Sequence, residues 1–352
     1  MYQYKLPEKK PFVKDILRWY KNHKRDLPWR KHQKNPYYVW LSEMMLQQTT
    51  VTTVLPYFEK FITKWPTIDR LAQSTQDDVL AAWAGLGYYA RARNLHKCAQ
   101  TITSDYQGHF PQNYDELKKL PGIGPYSAAA IAAIAFGSSD VVIDGNIERI
   151  MCRVGVIETP IVQSKSVIRE MASALTPQNN NGDYIQALMD ISAQICRPKN
   201  PKCLICPIRK HCQALSNNRT DELPKKLPKK NKPYKYATIY WVEKNGKIMM
   251  RKRPEKGLLG GMIEFPSTSW TDKKPSQNEW KKQAPCEADW TLHKKTIKHS
   301  FTHFDIELQI VTAQNFQKIK AQEFEAQWFE ANHIYDLALP TIMRKVADAK
   351  LK

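Results

Sequence analysis

The chain has 352 residues, 42% of them apolar, with 10 Trp, 16 Tyr and 11 Phe, which suits two domains and excludes global disorder. Its formal charge is +20, with 29 Lys and Arg against 18 Asp and Glu in residues 1–220 and 20 against 14 in residues 234–352. A basic balance in both halves points to a polyanion such as nucleic acid, although a solvated basic surface or anionic lipid would read the same way. No stretch is long and apolar enough to span a bilayer, and Met1 to Lys10 lacks the apolar centre of a signal peptide, so a soluble cytoplasmic protein is expected. Seven cysteines, four of them in one short segment, suit a metal site in a reducing compartment better than disulfides.

From about Pro11 to Ala214 apolar residues recur at three and four, as in Leu41, Met44 and Met45, so the pattern is helical. Glu43 falls in an apolar run between Trp40 and Leu46. A carboxyl buried there would gain a raised pKa and could act as a general acid, whereas an ordinary helical Glu lies at the surface. Turn signals stand at Asn35-Pro36, Gly85-Leu86-Gly87, Pro121-Gly122 and Gly137-Ser138. Leu120-Pro-Gly-Ile-Gly124 joins two helical runs. Gly122 and Gly124 let backbone amides approach an anion, and the helix opening at Pro125 presents free N–H groups to it. A plain interhelical turn would carry the same letters. The Ala-rich run Ser127 to Phe136 predicts helix, and Asp144, after Val141-Val-Ile, reads as a helix N-cap.

Cys196, Cys203, Cys206 and Cys212 are separated by six, two and five residues. Four thiolates so spaced can share one metal centre, and spacing alone favours zinc as the commoner structural metal. The same loop carries Arg197, Lys199, Lys202, Arg209 and Lys210, which could meet phosphates. Cys98, Cys152 and Cys286 are expected to pack in the core. Leu223 to Pro233, with three prolines and five lysines, reads as a semi-extended linker. Beyond it Tyr236 to Val242 and Phe304 to Val311 are β-rich with partial alternation, Gly257 to Gly261 is a loop, and a helix closes the chain. The expected organisation is a helical domain over 1–220, a linker over 221–233 and a mixed α/β domain over 234–352.

The hairpin, the cysteine spacing and Asp144 resemble the endonuclease III superfamily of helix-hairpin-helix DNA glycosylases. Leu27-Pro-Trp-Arg30, Pro36 to Thr49, Gly260-Gly-Met-Ile-Glu-Phe-Pro266 and His299-Ser-Phe-Thr-His-Phe304 are similar to motifs of its adenine DNA glycosylases, the MutY family, and the resemblance spans about residues 11–345. It implies a mainly α N-terminal domain with an iron–sulfur loop and a Nudix-like C-terminal domain. It implies a [4Fe–4S] cluster on the four cysteines. Glu43 would be the general acid and Asp144 the carboxylate beside the reacting sugar, with Tyr126 and Asn146 hydrogen-bonding in the site. Arg25, Leu27, Trp29, Arg30, Gln186 and Met189 would form an adenine pocket. Gln47, Gln48, Thr49, Leu86 and Tyr88 would surround the hole and the orphan base, with Gln48 and Tyr88 as wedges. Gly122 and Gly124 would grip the DNA backbone, and Phe301, Thr302 and His303 would read 8-oxoguanine.

Tyr126 stands where strand-cleaving relatives carry a lysine, so no efficient Schiff-base lyase is expected. Thr302 replaces a serine and Ile263 a tryptophan of the family pattern. The implied activity is release of adenine from 8-oxoguanine·A or G·A mispairs in double-stranded DNA, by a monomer associated with the nucleoid. The rivals are an endonuclease III-like pyrimidine glycosylase/lyase, a helix-hairpin-helix protein that only binds, and a Nudix hydrolase. The first would carry Lys at 126 and lack the second domain; joint Glu43 and Asp144 oppose the second; the missing Glu-rich Nudix helix opposes the third.

Overall fold

The helices of the first half begin and end where local chemistry dictates. Asn35 caps the helix Pro36–Leu46, its side chain accepting from Tyr37 N, with Pro36 in the first turn where a missing N–H costs nothing. Thr50 and Asn113 cap Val51–Lys64 and Tyr114–Lys119 in the same way. Gly137, at φ 75°, closes Pro125–Phe136 in the left-handed conformation. The computed structural model describes all residues except 1–3, 5, 32–33, 229–230, 256, 315, 318, 320–324 and 352. Lys229 and Lys230 of the expected linker lie outside the described residues. The chain forms two units: Met1–Gln73 with Lys97–Pro228, and Ser74–His96 with Lys229–Lys352. The segment Ser74–His96, inside the helical stretch of the sequence, is thus grouped with the β-rich half.

In the first unit Pro125–Phe136 is the central helix, buried from Ser127 to Ala133 and packed on Pro36–Leu46, Tyr114–Lys119 and Asn181–Gln194. Its alanines permit close approach. Gly182 shows how close, because a Cβ there would sit 2.7 Å from Ala133 O. Around these helices Phe12, Ile16, Ile147, Ile150, Met151, Leu188 and Ile191 form one core. Cys152 belongs to that core and Cys98 and Cys286 are also buried, so these three thiols pack as expected.

The second unit holds eight strands among its described residues: β1 Tyr234–Trp241, β2 Glu243–Lys244, β3 Lys247–Lys252, β4 Ile263–Glu264, β5 Asp289–Leu292, β6 Ile297–Ser300, β7 Asp305–Gln314 and β8 Gln327–Glu330. β1 runs parallel to β7, with Tyr234 opposite Asp305, and β7 also pairs antiparallel with β5 and β6. β3 pairs antiparallel with β2, β4 and β8. The alternation in β1 fades because both its faces are covered. Ile239 and Trp241 join a core closed by Ile342, Met343 and Val346 of the helix Thr341–Leu351, while Tyr240 enters a second core with Met249 and Trp280. Among the described residues no helix is long and apolar enough to cross a membrane.

Candidate active site and cysteine cluster

The helix Pro36–Leu46 is buried on nearly every side, and it carries Glu43 into the interior at 5% exposure. Burial raises the Glu43 carboxyl from 4.5 to about 7; the neighbouring Asp144 charge adds to the rise, and a hydrogen bond with Tyr126 and the Arg30 guanidinium oppose it. Tyr126 is in the first turn of the hairpin's second helix. Desolvation first, then the Glu43 and Asp144 charges, push its phenol well above the ordinary range, so it stays a proton-bearing hydroxyl. Asp144 does cap the helix Gly145–Gly155. Its Oδ1 accepts from Asn146 N at 3.0 Å and Ile147 N at 2.8 Å, and its Oδ2 accepts from Asn146 Nδ2 at 2.7 Å. The cap and the candidate site residue are therefore one side chain, fixed by three donors.

A cavity of about 420 Å³ opens beside Glu43, and Arg25, Leu27, Trp29, Arg30, Gln186 and Met189 all line it. The structure thus gathers every residue expected for the base pocket, with Val39, Leu46, Val51 and Ile134 completing an apolar wall. Sequence reasoning missed Asp190. It is fully buried, accepts Arg30 through Nη1 at 2.7 Å and Nη2 at 2.9 Å, and accepts Arg25 Nε at 2.6 Å and Arg25 N at 3.0 Å. This bidentate fork aims both arginines along the pocket wall. The only hint was its place one helical turn past Gln186, in a run otherwise apolar.

The remaining expected residues divide. Gly122 takes φ 75°, a conformation only glycine adopts without strain, and Gly124 precedes the helix as its N-cap. Gln47 turns inward and braces the hairpin, Nε2 donating to Ser127 Oγ at 3.1 Å and Gly122 O at 3.3 Å. Gln48 is exposed at φ 59°, and Tyr88 is 46% exposed at φ 49°. Two non-glycine residues held in the left-handed region mark a strained, outward presentation. Thr49 is half-buried, its hydroxyl 3.4 Å from Gln47 O. Leu86 is 5% exposed, so its loop offers backbone rather than this side chain.

In the second unit β6 and β7 are joined by a turn in which Phe301 N donates to Phe304 O at 2.8 Å. The Phe301 ring packs against His299, Phe304 and Trp270, and Thr302 and His303 are left exposed at the tip. The Tyr88 hydroxyl lies 3.0 Å from Thr302 Oγ1, a contact that nothing in the sequence suggested.

Cys196, Cys203, Cys206 and Cys212 line one cavity of about 360 Å³ with Arg153, Ile195 and Ile208. Burial above all pushes the Cys206 thiol up to about 12 and raises Cys212, and the other cysteines of the set add to both. Four half-buried cysteines facing one space are a donor set that a cationic centre could draw together. Among the described residues no three His, Cys, Asp or Glu side chains are arranged to hold a single metal ion. The chemistry of the donor set, four sulfurs lining one space, fits an iron–sulfur cluster as it would fit zinc. Arg153, 1% exposed, donates Nη1 to Cys196 Sγ at 3.2 Å and to Arg197 O at 2.8 Å, and Nε to Leu223 O at 3.0 Å.

Residues 41–178 match the HhH-GPD superfamily of base excision DNA repair proteins, and residues 237–349 match the NUDIX domain. The chain is 35% identical to the adenine DNA glycosylase of Buchnera aphidicola subsp. Schizaphis graminum, over 96% of this chain and 98% of that protein. It is 30% identical to the human adenine DNA glycosylase, over 95% of this chain and 73% of that one. A thermostable thymine-DNA glycosylase of known structure covers 59% of this chain and 97% of its own, with a TM-score of 0.54 and 32% identity.

Proposed function

The chain belongs to the adenine DNA glycosylase family, and on that premise we propose that this DNA N-glycosylase releases adenine mispaired with 8-oxoguanine or guanine by hydrolysis, without strand cleavage. The observation that carries the proposal is Glu43: a buried carboxyl with a pKa near 7, on the wall of the cavity that the expected pocket residues line, beside Asp144.

A base inside the duplex is out of reach, so the adenosine must leave the stack and enter the cavity. Trp29, Leu27 and Met189 face its ring, and the Asp190-held arginines orient its polar edge. Protonated Glu43 donates to adenine N7, the bond between base N9 and sugar C1′ breaks, and the electron pair leaves with the base. The ionised Asp144 stabilises the cationic sugar, with Asn146 and the helix N-terminus fixing its oxygens. Glu43, now ionised, draws a proton from the water that adds to C1′, as in two-carboxylate glycoside hydrolysis. Tyr126 hydrogen-bonds with Glu43, feels the charge of Asp144 and offers no amine, so no Schiff base forms. Gln48 and Tyr88 wedge the hole, Thr49 and the Leu86 backbone border the orphan base, and Thr302 with Phe301 and His303 reads it. The partner is duplex DNA, met by a monomer at the nucleoid.

The four cysteines would hold a [4Fe–4S] cluster in this reading, supported by the way all four line one space. When bound, the cluster cross-links the loop that carries Arg197, Lys202 and Arg209, and no step of the hydrolysis passes through it. Metal analysis of the purified protein should find about four irons per chain; stoichiometric zinc would overturn the assignment. For the chemistry, Glu43→Gln should retain binding to an 8-oxoguanine·A duplex while adenine release falls by at least about 100-fold. Adenine release at the parental rate would remove Glu43 from the mechanism.

A further inference from the structure

The two arginines of the cavity beside Glu43 depend on one carboxylate, and that carboxylate also bears on the Glu43 proton. Asp190 belongs to the helix Asn181–Gln194 and has no exposed surface. Its Oδ1 accepts from Arg25 Nε at 2.6 Å and Arg30 Nη2 at 2.9 Å, and its Oδ2 accepts from Arg30 Nη1 at 2.7 Å and Arg25 N at 3.0 Å. Arg30 Nη1 also reaches the Arg25 carbonyl at 3.2 Å, and its guanidinium lies 5.6 Å over the Tyr20 ring. One buried side chain therefore fixes both guanidiniums and the main chain that carries Leu27 and Trp29. Arg25 and Arg30 line the cavity, whereas Asp190 meets them from the protein side.

Charge follows the same geometry. The groups that act on Glu43 are Tyr126, Asp144 and Arg30, and Arg30 is the cation among them, loosening a proton that burial holds. The charged side chains of Val51–Lys64, which packs on the Glu43 helix, are Glu59, Lys60 and Lys64, and all three are exposed. Around Asp190 stand Asp183 and Tyr20, whose phenol burial raises to about 12. Arg149 reaches the same helix further on, at Ser192 O, 3.1 Å away. Two guanidiniums on the wall of a cavity draw the proton from an acid beside them, and a carboxylate locked onto both offsets one of the two charges. We propose that Asp190 is a positioning residue, which fixes Arg25 and Arg30 on the cavity wall and offsets their charge, so that Glu43 keeps its proton while a base is held. Asp190 acts through the two arginines. The inference rests on the reading of Glu43 as the acid of the reaction.

The test follows the Glu43 proton in the full-length protein by two midpoints. One is the pH at which adenine release falls by half. The other is the pH at which a stability gap opens between each variant and the same variant carrying Glu43→Gln, read by urea unfolding and needing no substrate. Asp190→Asn keeps the shape and removes the charge. Both midpoints should move down by about one unit, the scale on which one nearby charge shifts a carboxyl. Asp190→Glu keeps the charge and should hold both midpoints at the parental pH. Arg25→Met leaves the Arg30 fork paired and takes one cation from the wall, so both midpoints should move up; it carries the test where Asp190→Asn does not fold. Midpoints that stay in place in Asp190→Asn or in Arg25→Met overturn the proposal, and so does a shift that Asp190→Glu shares. A parent that releases no adenine sinks the reading of the reaction, while a stability midpoint that still moves in Asp190→Asn supports the charge balance set by Asp190.

Discussion

At the residue scale, Glu43 ties function to stability. Its carboxyl is raised to about 7 from an ordinary 4.5, with burial the largest cause. The folded protein therefore binds this proton more tightly than the unfolded chain does. Below about pH 4.5 both states are protonated and the residue adds no pH-dependent cost. As pH rises through about 7 the stability gained from the proton is lost, and the loss levels off near 3 kcal/mol at 1.36 kcal/mol per unit. Glu43→Gln cannot ionise. It should therefore be more stable than the parent at pH 8 by about 2–3 kcal/mol more than at pH 5, measured by urea unfolding. An equal difference at the two pH values would mean that Glu43 is solvated. On the proposed mechanism adenine release should fall as pH rises through about 7, because the acid form of Glu43 would be the reactive one. The burial of Glu43 could be read from its apolar neighbours. Asp190 could not, because Arg25 and Arg30 meet it across some 160 residues of sequence and a helical aspartate carries no mark of its partners.

At the element scale, the helices were legible because their caps and periodicity are local. Asn35-Pro36, Asp144 and Gly137 each act where they stand in the chain. Crossing geometry is not local. Nothing around Gly182 shows that helix Asn181–Gln194 presses against the backbone at Ala133 and Ile134, where a Cβ would lie 2.7 and 3.0 Å from main-chain atoms. Because those obstacles are backbone, they cannot rotate away, and Gly182→Ala must separate the two helices. The expected cost is about 1–3 kcal/mol, the range for overpacking. Gln186 and Met189 lie on the displaced helix and line the cavity beside Glu43, so on the proposed reading adenine release should weaken as well. Unchanged thermal stability and activity in Gly182→Ala would show that the contact yields freely. The strands show the same limit. β1 was legible as a strand, but its parallel pairing with β7, some seventy residues away, was not.

At the scale of the whole molecule, the formal charge of +20 is the coarsest feature of the sequence and also bears on function. How the chain divides was only partly legible, since no break in composition at Gln73 or His96 announces that Ser74–His96 groups with the β-rich half. Charge needs no such detail. Lysines and arginines that neutralise phosphates release counterions, so affinity for duplex DNA must fall as salt rises. The expected size of the effect follows from about 6–10 phosphates neutralised by Lys and Arg side chains. Affinity for undamaged duplex should then drop by roughly 10³–10⁵ between 50 and 200 mM salt. Fluorescence anisotropy with a labelled duplex measures this directly. On the proposed reading, mispaired duplex should show the same slope at higher affinity, because the base contacts proposed for Thr302 and the cavity release no ions. A shallow slope would leave the surplus charge as a solvated surface, and the proposed recognition would then rest on the cavity beside Glu43 and the turn at Thr302 alone.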